Sequence, residues 1–167
     1  MTVTDKGGNN TVDLCDTTVQ RDLKVTTKDG NDTIVIKSGS QVDGKTSLSP
    51  GHGNNTITVD DAVIGGAFVF KGGNNVDIFN LERDGNGAGP RTTFMSKTSF
   101  KMGKGNDILR IGRAGSDGES ATSDDKVTLD GGKDNDTLLA DPKTQAGGPN
   151  DNLFTQTPTV KDFENLI

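Results

Sequence analysis

Apolar residues recur along this chain at fixed distances from a glycine-rich turn, and that register predicts the architecture. Six segments align: GGNNTVDL from Gly7, DGNDTIVI from Asp29, GHGNNTITV from Gly51, GGNNVDIF from Gly72, GKGNDILRI from Gly103 and GKDNDTLLA from Gly132. With Asn10, Asp32, Asn55, Asn75, Asp107 and Asp136 as the closing turn residues, the intervals are 22, 23, 20, 32 and 29 residues. Seven positions before the turn residue stand Val3, Val25, Leu48, Phe68, Phe100 and Leu129. Two positions after it stand Val12, Ile34, Ile57, Leu109 and Leu138, and four after it Leu14, Ile36, Val59, Ile111 and Ala140. The fourth copy lacks the Thr that follows the turn, so Val76 and Ile78 fall one place early and restore the face.

Offsets of two and four are strand alternation with one face inward. A repeat of 20–32 residues that cannot bury its own apolar face must stack on its neighbours. The expected fold is all-β: a single domain over residues 1–167, a parallel β-helix or β-roll-like solenoid of about six coils. Each coil has two short strands joined by a Gly-Asn corner. Three segments break the alternation: Arg83–Arg91, Gly112–Asp125 and Asp141–Asn152, rich in Gly, Asp, Ser and Pro. All follow the strand after the corner, so they are expected as insertions on the edge opposite the Gly-Asn turns. They read as a binding face or as tolerated surface loops.

Composition changes the picture in two ways. Only 29% of residues are hydrophobic, with 23 Gly and no Trp or Tyr, so the core must be thin and corners numerous. The net charge of −6 favours cations over nucleic acid, for no basic stripe that would neutralise phosphates is expected. No apolar run approaches the roughly 18 residues of a membrane helix, so no membrane span is expected. No signal peptide is visible at the N-terminus, and any export would need another signal. The lone Cys15 allows no internal disulfide.

The corner GxGN(D/N)x(I/V/L) resembles the GGxGxDxUx nonapeptide of the repeats-in-toxin (hemolysin-type) calcium-binding family. The fragments DGNDTIVI, GKGNDILRI and KDNDTLLA carry the resemblance, as does the terminal DFENLI. It implies Ca²⁺ held between successive turns by corner Asp side chains and backbone carbonyls. Carried over by position, the side-chain ligands are Asp32, Asp107 and Asp136, with Asn10, Asn55 and Asn75 in the same column. Carbonyls near Gly30, Gly53, Gly105 and Gly131 would assist. Ca²⁺ takes 6–8 oxygens and accepts carbonyls as readily as carboxylates. This chain departs from the family in carrying one corner per 20 or more residues, and Asn in half of its corner positions.

Asn in half the corners leaves a second occupancy open: a metal-free ladder of stacked Asx side chains. The expected function is a non-enzymatic, calcium-binding structural module of a secreted or cell-surface bacterial protein. Its partners would be calcium ions, surface glycans or other repeats of the same protein. The alternatives are a carbohydrate-binding or carbohydrate-active β-helix using the inserted loops, and a metal-free spacer. His52 reads as a solvent-facing corner residue and Cys15 as a surface residue with no activating neighbour. Asp117, Glu119, Asp124 and Asp125 read as a solvated acidic loop, and no Thr column suits ice binding.

Overall fold

A computed structural model describes residues 1–82, 91–112, 121–140 and 153–167. Its strands form three parallel sheets, the faces of a three-sided solenoid. The first contains Thr2–Thr4, Leu23–Thr26, Thr46–Ser49, Phe68–Lys71, Thr98–Lys104, Val127–Lys133 and Thr159–Lys161. The second contains Thr11–Cys15, Thr33–Lys37, Thr56–Val59, Ile78–Leu81, Ile108–Ile111, Thr137–Ala140 and Asn165–Leu166. The third is built from the two-residue strands Thr18–Val19, Gln41–Val42, Val63–Ile64, Thr93–Phe94, Thr122–Ser123 and Leu153–Phe154.

Each coil therefore carries three strands where the sequence pattern predicts two. The third strand was hidden because two residues cannot show a period, and its inward positions are Val19, Val42, Ile64, Phe94 and Ser123. A three-sided coil also has no opposite edge. The Gly-Asn turns occupy the corner between the first and second sheets. Residues 83–90, 113–120 and 141–152, most of the three expected insertions, lie outside the described residues. The strands that flank them belong to the second and third sheets, so all three segments connect at that one corner.

The inward columns are continuous through the stack. Ile34 pairs with Val12 and Ile57, and Ile36 with Leu14 and Val59, all in parallel register. Stacking identical positions at about 4.8 Å lets each coil bury its inner face on the next. The core is thickest in the middle, where Phe68, Phe70, Phe79, Phe94 and Phe100 are buried together. Phe79 lies edge-on to Phe100 with centroids 4.9 Å apart, and Phe68 is 5.1 Å from Phe94. Such contacts add to the area term.

The fourth corner is shifted by two residues from its expected place. Phe70, not Phe68, pairs with Leu48 and Phe100. Phe79 and Leu81 pair with Ile57 and Val59 on one side and Leu109 and Ile111 on the other. The turn residue of this copy is therefore Asp77. Asn75 is exposed, Val76 is 36% exposed and Ile78 faces outward. The cause lies in the backbone: Asn74 bridges Lys104, which puts Asn75 level with Gly105. Asn75 takes up φ 75° there, and Asn is among the few non-glycine residues that enter the left-handed region readily. Because Phe68 and Phe70 both point inward, alternation alone could not separate the two registers.

Candidate metal-binding corner

With Asp77 in place, one polar column, buried in its middle and open at its two ends, runs the length of the first corner: Asn10, Asp32, Asn55, Asp77, Asp107, Asp136 and finally the exposed Glu164. Asp32, Asn55, Asp77, Asp107 and Asp136 are almost wholly inaccessible, at 0–1% exposure. Their side chains are used in one direction. The backbone N–H of Asn10 donates to Asp32 Oδ1 (2.8 Å), Asp32 to Asn55 Oδ1 (2.9 Å) and Asn55 to Asp77 Oδ1 (3.2 Å). Asp77 donates to Asp107 Oδ1 (2.7 Å), Asp107 to Asp136 Oδ1 (2.8 Å) and Asp136 to Glu164 Oε2 (2.7 Å). From Asp32 onward each Asx side chain thus satisfies the corner N–H of the coil before it, a group that would otherwise lack a partner.

A second, exposed ladder runs the other way one residue earlier. Asn31 N–H donates to Asn9 Oδ1 (2.8 Å), Asn54 N–H to Asn31 Oδ1 (2.9 Å) and Val76 N–H to Asn54 Oδ1 (3.2 Å). Asn135 N–H donates to Asn106 Oδ1 (3.1 Å). Valine cannot accept, so this outer ladder is interrupted at Val76.

What the second side-chain atom does separates Asn from Asp. Asn55 Nδ2 donates to Gly53 O (3.0 Å) and to Asp77 Oδ1 (2.8 Å). Asn10 Nδ2 donates to Gly8 O (2.6 Å) and to Asp5 Oδ2 (2.9 Å). Asp77 Oδ2 accepts from Gly73 N–H at 3.0 Å. The Oδ2 atoms of Asp32, Asp107 and Asp136, however, are buried with no hydrogen-bond partner. At three places the column sets an acceptor where Asn would set a donor.

Burial dominates the electrostatics. It pushes the Asp107 carboxyl up to about 7, with the charges of Asp77, Asp136 and Asp134 adding to it. Burial likewise raises Asp136 to about 6, with Glu164, Asp134 and Asp130 nearby, and Asp77 to about 6. A desolvated row of carboxyls one coil apart holds protons or attracts a cation, and the Oδ2 atoms of Asp107 and Asp136 are the free positions for either.

The expected site residues divide accordingly. Asp32, Asp107, Asp136, Asn10 and Asn55 share the column, and Asn75 does not. Gly30 and Gly53 occupy one glycine column with Gly105, at φ 143°, 115° and 130°. A Cβ at Gly53 would collide with Gly30 O, and one at Gly30 with Gly8 O. The glycines thus let successive corner backbones touch. Gly131 stands outside this column, since Gly103 pairs with Gly132 and Lys104 with Lys133. Asp134 takes the glycine place in that coil, and its Oδ2 accepts from Gly105 N–H at 3.2 Å.

A further carboxylate group lies at the second corner, which the sequence pattern did not reveal. Ligand atoms of Asp60, Asp61 and Glu82 fall within 4.8 Å of one another. Glu82 Oε1 accepts from the backbone N–H groups of Asp61 (2.9 Å) and Thr92 (2.8 Å), so it caps the turn into the third sheet. Burial raises its carboxyl to about 8. Counted from Asp77, Glu82 has the offset that Asp60 has from Asn55, a match that the Asn75 register conceals. His52 and Cys15 are exposed, as expected, and Asp125 Oδ1 accepts its neighbour's N–H, from Lys126. Among the described residues no helix is long and apolar enough to cross a membrane.

No family model, curated protein or solved structure matches this chain.

Proposed function

We propose that this chain is a non-enzymatic, calcium-stabilised structural module of a secreted or cell-surface bacterial protein. The observation that carries the reading is the trio of buried, unpartnered Oδ2 atoms on Asp32, Asp107 and Asp136. Asp107 and Asp136 belong to adjacent coils, which makes theirs the junction with two such oxygens. A cation there would be met by both carboxylates and by corner carbonyls, including that of Gly105, the oxygen-rich donor set Ca²⁺ takes. The resemblance of the corner sequence to the hemolysin-type repeat supports the same ion. Binding to the folded stack alone would add to stability by mass action.

One observation favours a second reading, the metal-free spacer. From Asp32 to Asp136 every Asx in the inner ladder already accepts a backbone N–H, so the coils are joined without an ion. In that case the Oδ2 atoms of Asp107 and Asp136 carry protons.

Thermal unfolding with millimolar Ca²⁺ and with chelator separates the two. Calcium binding requires a rise in melting temperature that the chelator abolishes and that Asp107→Asn weakens. Identical melts in both buffers leave the metal-free ladder standing.

A further inference from the structure

The first sheet carries a feature that the linear sequence hides. Lys71 and Lys101 are direct partners on adjacent strands, and so are Lys104 and Lys133. Lys97 and Lys126 immediately precede the paired residues Thr98 and Val127, which makes a third matched pair. All six are exposed, and none forms an ion pair among the described residues. Like charges directly opposite on neighbouring strands, about 4.8 Å apart, repel.

The same sheet shows how that repulsion is relieved elsewhere. Lys101 has Asp130 as its partner on the following strand, and Asp130 binds Lys161 at 2.8 Å. Asp124 and Asp125 directly precede Lys126 and Asp134 directly follows Lys133, so acids flank the lysines of that coil at both ends, but Lys71 and Lys101 are direct partners with no carboxylate between them. A chain of net charge −6 has acid to spare, yet it sets lysine against lysine in three rows. We infer that these lysine rows of the first sheet bind an anionic polysaccharide.

The rest of the face selects that chemistry. Ser99 and Thr128, paired with each other, place short hydroxyls between the lysine rows. Ammonium and hydroxyl groups on the outer face of a sheet, with the Lys104–Lys133 pair at its edge beside the glycine corner, suit sugar carboxylates, sulfates and hydroxyls. Single-stranded nucleic acid calls for aromatic side chains on which bases stack. The chain has no Trp or Tyr, and Phe68, Phe70, Phe79, Phe94 and Phe100 are in the core. A membrane surface calls for apolar residues at the contact, whereas Val69 is the sole apolar residue between the rows and is half-buried.

The test is binding of the full chain to dextran sulfate and to uncharged dextran by titration calorimetry, at fixed calcium and low ionic strength. Folding is verified by circular dichroism, so a failed calcium reading would appear in the melt and not in this measurement. Dextran sulfate should bind, dextran should not, and affinity should fall as salt rises. The double variant Lys71→Gln/Lys101→Gln should lose roughly tenfold or more in affinity with its melting temperature unchanged or raised. Lys24→Gln, an exposed lysine of the same sheet whose strand partners are Thr2 and Ser47, should bind as the parent does. No binding of dextran sulfate, or undiminished affinity in the double variant, overturns the proposal. Tighter binding to an oligothymidylate or to phosphatidylserine vesicles overturns it in favour of that partner.

Discussion

The backbone N–H of Asp107 donates to Oδ1 of Asp136, 2.8 Å away in the next coil, while the other Asp136 oxygen is buried with no partner. One carboxylate is thus half committed to joining coils and half available. The two oxygens can be addressed separately by substitution. Asp136→Ala removes the acceptor and strands the Asp107 N–H, at a cost of about 1–3 kcal/mol. Asp136→Asn keeps the acceptor and supplies a donor in the orphan position, so in the absence of calcium it should match or exceed the parent. Urea midpoints in chelator check this ordering; an Asn variant as weak as the Ala variant would refute it.

The pH dependence has a definite sign. The carboxyls of Asp77, Asp107, Asp136 and Glu82 have folded values of about 6, 7, 6 and 8, all above their unfolded values. The folded chain then binds more protons than the unfolded chain between about pH 4 and pH 8. The stabilisation is complete below the unfolded values and is lost as pH rises through the folded ones. In chelator, the melting temperature should be higher at pH 5 than at pH 8. Calcium competes with those protons, so its stabilising effect should grow over the same interval.

The displaced fourth corner gives a test of register. Asn75 sits at φ 75° and is exposed, so Asn75→Gly should be neutral or slightly stabilising. Asp77→Ala, two residues on, removes an acceptor used by both Asn55 and Gly73 and should cost several times more. Equal effects at the two positions would restore Asn75 to the column.

Val76 interrupts the outer ladder and exposes apolar surface. Val76→Asn should supply an acceptor for the Asn106 N–H and raise stability by about 0.5–1.5 kcal/mol. Equilibrium unfolding measures this directly, and a destabilised variant would mean that the outer ladder contributes nothing to coil adhesion.

The stacked architecture was legible in the chain because Val12, Ile34 and Ile57 hold one offset from a recognisable turn. The register of the fourth copy was not, because GGNN offers its own Asn pair and Phe68 and Phe70 share one parity. Only the pairing of Phe70 with Leu48 and Phe100 decides it. Asp32, Asp107 and Asp136 were found as corner residues, but sequence could not say that each spends one oxygen on a neighbouring N–H. Glu82 and Asp60 escaped notice because their shared offset is visible only from Asp77. The lysine rows escaped because Lys71 and Lys101 are 30 residues apart and become neighbours only when an insertion is discounted.

The first corner has the same five-residue span from Gly51 to Asn55, Gly73 to Asp77 and Gly103 to Asp107, and both ladders depend on that span. The second corner is under no such rule. Strand pairing continues unbroken in all three sheets across coils that differ by seven or eight residues in length, 22 against 29 and 30. The protein is thus a ruler on one edge and a shelf on another. Foreign peptides grafted between the second and third sheets should be displayed at coil spacing without disturbing the ruler.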